Sequence, residues 1–227
     1  MKQPKLVAIV AAVTAGVVGV TGPAGADQPP RIDPSTFVRT VDNPWFPLQP
    51  GTTYTYRGVK DGKRARDVFA VTHKTRKIQG VTTTVIHDRL YLDGRLAERT
   101  TDWYAQNRHG DVLYFGEATR ALDRHGKLTD SEGSWRAGVD GARAGIFMPA
   151  HPKVGRTFQQ EYFKGHAEDR FRILGKRAGI IKTREWTPLE PGVIDNKYYV
   201  RGVGAIREAA AKGADEHLEL VSVKRGC

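Results

Sequence analysis

Residues 52–106 read TTYTYRGVKDGKRARDVFAVTHKTRKIQGVTTTVIHDRLYLDGRLAERTTDWYAQ, and this stretch decides the fold. Short runs of β-branched and aromatic residues alternate with turn signals at the spacing of an all-β meander. Asp61-Gly62 and Asp93-Gly94 are dipeptides that accept positive φ in tight hairpins. The pattern predicts strands at Thr52–Val59, Asp67–Thr75, Val81–Leu92 and Arg95–Gln106. Downstream, the same rhythm gives Asp111–Gly116, Thr157–Phe163, Glu168–Leu174, Ile180–Trp186, Lys197–Val200 and His217–Val223. Only Ala205–Lys212 reads as helical, for a turn or two. The expected fold class is all-β: an antiparallel meander of about ten strands forming a barrel or strongly curved sheet, with one short helix near the C-terminus. A two-sheet sandwich is the competing architecture.

Upstream, residues 27–50 are rich in proline and contain Asp42-Asn43-Pro44-Trp45-Phe46-Pro47-Leu48. Prolines forbid regular ladder pairing, while Trp45 and Phe46 are too apolar to be left in water. The segment therefore reads as an extended arm whose aromatic pair plugs onto a single β-rich domain, residues 51–227. Residues 1–26 carry Lys2 and Lys5, an uncharged run from Leu6 to Val20, and the small residues Pro23-Ala24-Gly25-Ala26. That order is the charged, apolar and small-residue order of a secretory signal. The apolar run is shorter than the roughly twenty residues that span a bilayer. The expected product is soluble and secreted, extracellular after signal cleavage, with no membrane span.

Cleavage after Ala26 would leave 34 basic residues against 25 acidic ones, a net charge of +9. The basic residues are scattered, whereas nucleic-acid binding needs a focused patch and a reading element. Nucleic acid is therefore excluded as a partner, and anionic cell-surface polymers are the macromolecules such a charge favours. The single cysteine, Cys227, is the last residue, so no intramolecular disulfide can form. Metalloprotease, nucleophile-elbow, P-loop and paired-cysteine motifs are absent. Gly202-Val203-Gly204 lacks the third glycine of a dinucleotide fingerprint, and the acids from Asp123 to Glu132 fail the EF-hand spacing. The glycine-dense stretch from Ser131 to Pro152 breaks the strand rhythm, as a covering loop or a ligand-contacting loop does.

Alternate residues of a strand point to opposite faces, and splitting the strands this way gathers carboxylates on the greasier face. Asp88 shares a face with Ile86, Leu90 and Leu92; Glu98 and Asp102 with Leu96 and Tyr104; Glu117 with Leu113 and Phe115. Glu161 aligns with Phe163, and Asp169 with Phe171 and Ile173. A carboxylate removed from water must be paired, coordinated or protonated. Internal ion pairing, a hydrated lumen holding a ligand or metal, and a face assignment displaced by a bulge all account for the pattern. Trp103, Tyr104 and Trp135 add aromatic walls of the kind that line small-molecule pockets. The candidate ligand-binding residues are thus Asp102, Trp103, Tyr104, Glu117, Trp135, Glu161 and Asp169. Glu117, Glu161 and Asp169 are the candidate ligands of a divalent metal ion. No catalytic residue is assigned.

The phrases DNPWFPL, DWYAQ…YFGE, GSW.AGVDGA…MPA.P, QEY..G.AED and KYY..GVG..RE resemble a group of exported bacterial proteins of actinobacterial type. The resemblance covers most of the chain after residue 26 and implies export, but no activity is assigned to that group. Asn107 stands where the pattern leads one to expect an aspartate, which argues against a metal role for that loop. The expected function is a secreted binding protein that holds a small ligand or metal ion in a β-barrel lumen. The alternatives are a secreted hydrolase or isomerase working through a carboxylate pair, and a basic structural protein attached to the cell wall.

Overall fold

The computed structural model describes residues 28–226. The expected signal segment, residues 1–26, and Cys227 lie outside the described residues. Fifteen strands follow one another: β1 (Thr53–Lys60), β2 (Lys63–Ile78), β3 (Val81–Leu92), β4 (Arg95–Gln106), β5 (Val112–Leu122), β6 (Leu128–Asp130), β7 (Trp135–Arg136), β8 (Arg143–Met148), β9 (Thr157–Gln159), β10 (Glu161–Tyr162), β11 (Arg170–Arg177), β12 (Ile180–Trp186), β13 (Ile194–Val200), β14 (Gly204–Lys212) and β15 (Glu216–Lys224). They form one antiparallel sheet in the order β10-β8-β5-β4-β3-β2-β1-β15-β14-β13-β12-β11-β9, with β6 and β7 also paired to β5.

The all-β expectation holds, but fifteen strands replace about ten, and the short C-terminal helix is absent. Residues 205–212 belong to β14, where Glu208 lies opposite Lys197 on one side and Leu218 on the other. The alanine-rich local preference for helix yields to two flanking strands that satisfy the backbone of this segment. The glycine-dense stretch is not one loop either: it contributes β7 and the wall strand β8.

The sheet is a nearly closed barrel. Its two edge strands, β9 and β10, are separated by Gln160 alone, whose N–H donates to Asp169 O at 2.8 Å. Closure there needs tight backbone approach: a Cβ on Gly145 of β8 would lie 2.3 Å from Gln159 O. The hairpins Asp61-Gly62 and Asp93-Gly94 have positive φ at both positions, as their sequence predicts. Gln79-Gly80 and Ala178-Gly179 make the same turn without Asn or Asp.

The arm closes one region of the barrel. Trp45, Phe46 and Leu48 are buried in the main core. Asn43 is 1 % exposed, donates to Gly110 O at 2.8 Å and accepts from the Trp45 N–H at 2.8 Å. Gln106 accepts from the N–H groups of Asp42 and Asn43 at 2.9 and 2.7 Å. A proline-rich segment that forms no strand of the sheet is thus tied down by side-chain amides and by one short antiparallel bridge, Phe37 to Asn107.

Candidate functional site

Several strands turn alternate residues inward to a cavity of about 320 Å³. β1 supplies Tyr54 and Tyr56, β2 Asp67 and Phe69, β4 Glu98 and Tyr104, and β13 Lys197 and Tyr199. β5 departs from this alternation, since Tyr114 and Glu117 both line the cavity although three residues apart. The register against β4 shifts by one, with Asp102 opposite Glu117 but Tyr104 opposite Tyr114. The extra residue is accommodated at Gly116, whose φ is 126°. This bulge corrects the expected face assignment: Glu117 shares its inward face with Tyr114 and not with Leu113 and Phe115.

Aromatic rings make one wall. Tyr104 and Tyr114 stack at 4.6 Å, and Phe147 meets Tyr104 edge-on at 4.9 Å. From the arm, Phe46 packs 4.5 Å from Phe147 and 5.3 Å from Tyr104. Carboxyl groups line much of the remainder: Asp67, Asp88, Glu98, Glu117, Glu161, Asp169, Glu185 and Glu208. A second compartment of about 190 Å³ adds Glu190, Asp195 and Glu216, and shares Glu117, Glu161, Asp169, Glu185, Lys197 and Glu208 with the first. The two are neighbouring parts of one acidic lumen.

Two lysines answer part of this charge. Lys197 Nζ lies 3.0 Å from Glu185 and 3.5 Å from Glu208, and Lys60 Nζ lies 2.7 Å from Glu216. Burial works against the charge on Lys197, but Glu185 and Glu208 outweigh it and hold its pKa well above the usual lysine value. The other acids have weaker company. Burial pushes Asp88 and Asp102 up to about 7, the carboxyls nearby adding to the effect. Burial, followed by the charge of Asp88, raises Asp67 well above the usual carboxylate range. Glu117 rises through burial and then Asp102, and Glu161 through burial and then Asp169. Asp169 keeps open area toward the lumen; burial still lifts it to about 6 against the pull of Lys197.

Of the residues the sequence nominates, Tyr104, Glu117, Glu161 and Asp169 line the lumen directly. Asp102 and Trp135 stand one layer behind. Tyr114 donates to Asp102 Oδ1 at 2.6 Å, and Trp135 Nε1 donates to Glu161 Oε1 at 3.3 Å. Trp103 corrects the expectation of an apolar lumen wall: it projects from the opposite face of β4, buried beneath the Arg76 guanidinium at 4.3 Å. Glu117, Glu161 and Asp169, the expected metal ligands, do border one compartment. Yet among the described residues no group of three or more His, Cys, Asp or Glu side chains converges to hold a metal ion. The sequence reading missed Asp67, Gln160, Glu185, Lys197, Glu208 and the tyrosines 54, 56 and 199. The i, i+2 pairs Tyr54/Tyr56, Thr183/Glu185 and Lys197/Tyr199 carry the signal that would have found most of them.

Fold and site together define a class: an antiparallel barrel whose lumen is lined by aromatic rings and carboxyl groups. No protein family, no curated protein and no solved structure matches the chain.

Proposed function

We propose that the chain is a secreted binding protein that holds a small molecule in the barrel lumen. The observation that carries this reading is a 320 Å³ cavity among buried polar atoms that lack partners, Gln160 Nε2 among its lining residues. Folding tolerates such atoms poorly, and a bound molecule that hydrogen-bonds to them removes the penalty. The size falls at the lower end of the range for small-molecule sites. The lumen also draws much of the acidic complement of a basic chain inward, which leaves the outer face more positive than the net charge indicates.

A ligand that binds only the folded state raises the melting temperature by mass action. At a hundredfold excess over Kd the expected rise is about 5 °C or more. Ala205 lies at the cavity wall, and Ala205→Phe should place a ring in the cavity and abolish the rise. A rise that persists in Ala205→Phe would locate binding elsewhere and refute the lumenal reading.

A further inference from the structure

We infer that the lumenal ligand is a small organic cation, an ammonium on an apolar body that also carries a hydrogen-bond acceptor. The inference rests on the lumenal-binding reading and names its ligand class.

Three features converge on it. The aromatic wall of Tyr104, Tyr114, Phe46 and Phe147 offers π faces and edges within one compartment, and such walls attract ammonium groups, most strongly when desolvated. The carboxyl groups on the same compartment exceed the cations available to them. Lys197 is already engaged by Glu185 and Glu208, Arg207 lies 3.7 Å from Glu219, and Lys60 of the neighbouring compartment is held by Glu216. Asp67, Asp88, Glu117 and Glu161 have no ion-pair partner among the described residues. A neutral ligand leaves that excess in place, and an anion meets it head-on.

The third feature is independent of charge. Asp67 Oδ1 and Asp88 Oδ1 are buried and accept no hydrogen bond among the described residues, so each keeps lone pairs for a donor. Gln160, 5 % exposed and part of the cavity wall, has an Nε2 that donates to nothing. It calls for an acceptor on the ligand. An ammonium supplies the donors and a hydroxyl or carbonyl oxygen supplies the acceptor, with the rings enclosing the carbon body between them. A metal ion suits neither the aromatic wall nor the amide donor, and no three-carboxylate group is present to hold one among the described residues.

The probe is 2-amino-1-phenylethanol, titrated into the full chain by calorimetry at pH 8. 1-Phenyl-1,2-ethanediol serves as the neutral isostere, mandelate as the anion, and calcium and zinc salts as the metals. Saturable binding of the amine, with the diol and mandelate at least tenfold weaker, is the expected result. Asp88→Asn should weaken the amine at least tenfold while the melting temperature is held or raised, because the change removes a buried repelling carboxyl. Should Asp88→Asn fail to fold, Gln160→Leu tests the same site. It should weaken the amino alcohol at least threefold and leave phenethylamine, which lacks the hydroxyl, unchanged. If the diol, mandelate or a metal binds as tightly as the amine and Ala205→Phe blocks it, the cation inference is wrong and lumenal binding stands. If no probe of any class binds, both fall.

Discussion

The phenol of Tyr114 gives its hydrogen to Asp102 Oδ1 at 2.6 Å, while Asp102 Oδ2 has no partner among the described residues. One hydrogen bond therefore carries a carboxyl that is 6 % exposed and that burial already pushes up to about 7. Tyr114→Phe should destabilise the protein by about 1–3 kcal/mol in urea unfolding, the usual penalty for an orphaned buried polar group. The loss should be larger at pH 8 than at pH 5.5, because Asp102 is charged only at the higher pH and the charged form gains more from the donor. A loss that is the same at both pH values would mean that Asp102 does not change charge in this range. Trp135 plays a parallel part behind Glu161. Both cases show why single residues were hard to read: Asp102 and Trp135 were nominated from the chain as ligand contacts, yet each acts by holding another lumen side chain in place.

Among the elements, β5 shows what a strand pattern conceals. Strict alternation places Tyr114 and Glu117 on opposite faces, and the extra residue at Gly116 brings both inward. Gly116 has a φ of 126°, and a Cβ there would sit 2.3 Å from Trp135 O. Gly116→Val should cost about 2–4 kcal/mol, through both a disallowed backbone conformation and a clash. Gly126, with φ of 77° and open space around it, is the control, and Gly126→Asn should change little. Equal effects at the two glycines would show that the bulge is not needed. Most strands were legible because Asp-Gly turns and β-branched runs are local signals. β14 was not, because Glu208-Ala209-Ala210-Ala211 prefers helix by itself and becomes a strand only between β13 and β15. The arm was legible from its prolines and aromatic pair, although its hydrogen bonds to Gln106 were not. Carboxylates on apolar faces are legible strand by strand, whereas the tyrosines of β1 and the Lys197 pairings meet the lumen through contacts between strands that no single strand's alternation displays.

At the scale of the whole molecule, charge is sorted between two sides of one sheet. The chain carries 36 basic and 25 acidic residues, and eleven of the acids border the lumen beside Lys60 and Lys197. Each acid with a raised pKa binds its proton more tightly folded than unfolded. In the free protein their contribution to stability is therefore full below about pH 4, where unfolded aspartates also hold their protons, and is lost as pH rises through about 7. A lumenal cation reverses this by stabilising the charged carboxylates. The most direct measurement is a ¹³C NMR titration of the side-chain carboxyl carbons in the ligand-free protein. Asp88 and Asp102 should titrate near pH 7, and the addition of a bound amine should move their midpoints down. If both titrate near pH 4, as solvated aspartates do, the carboxyl groups are not gathered in a secluded lumen and the account fails.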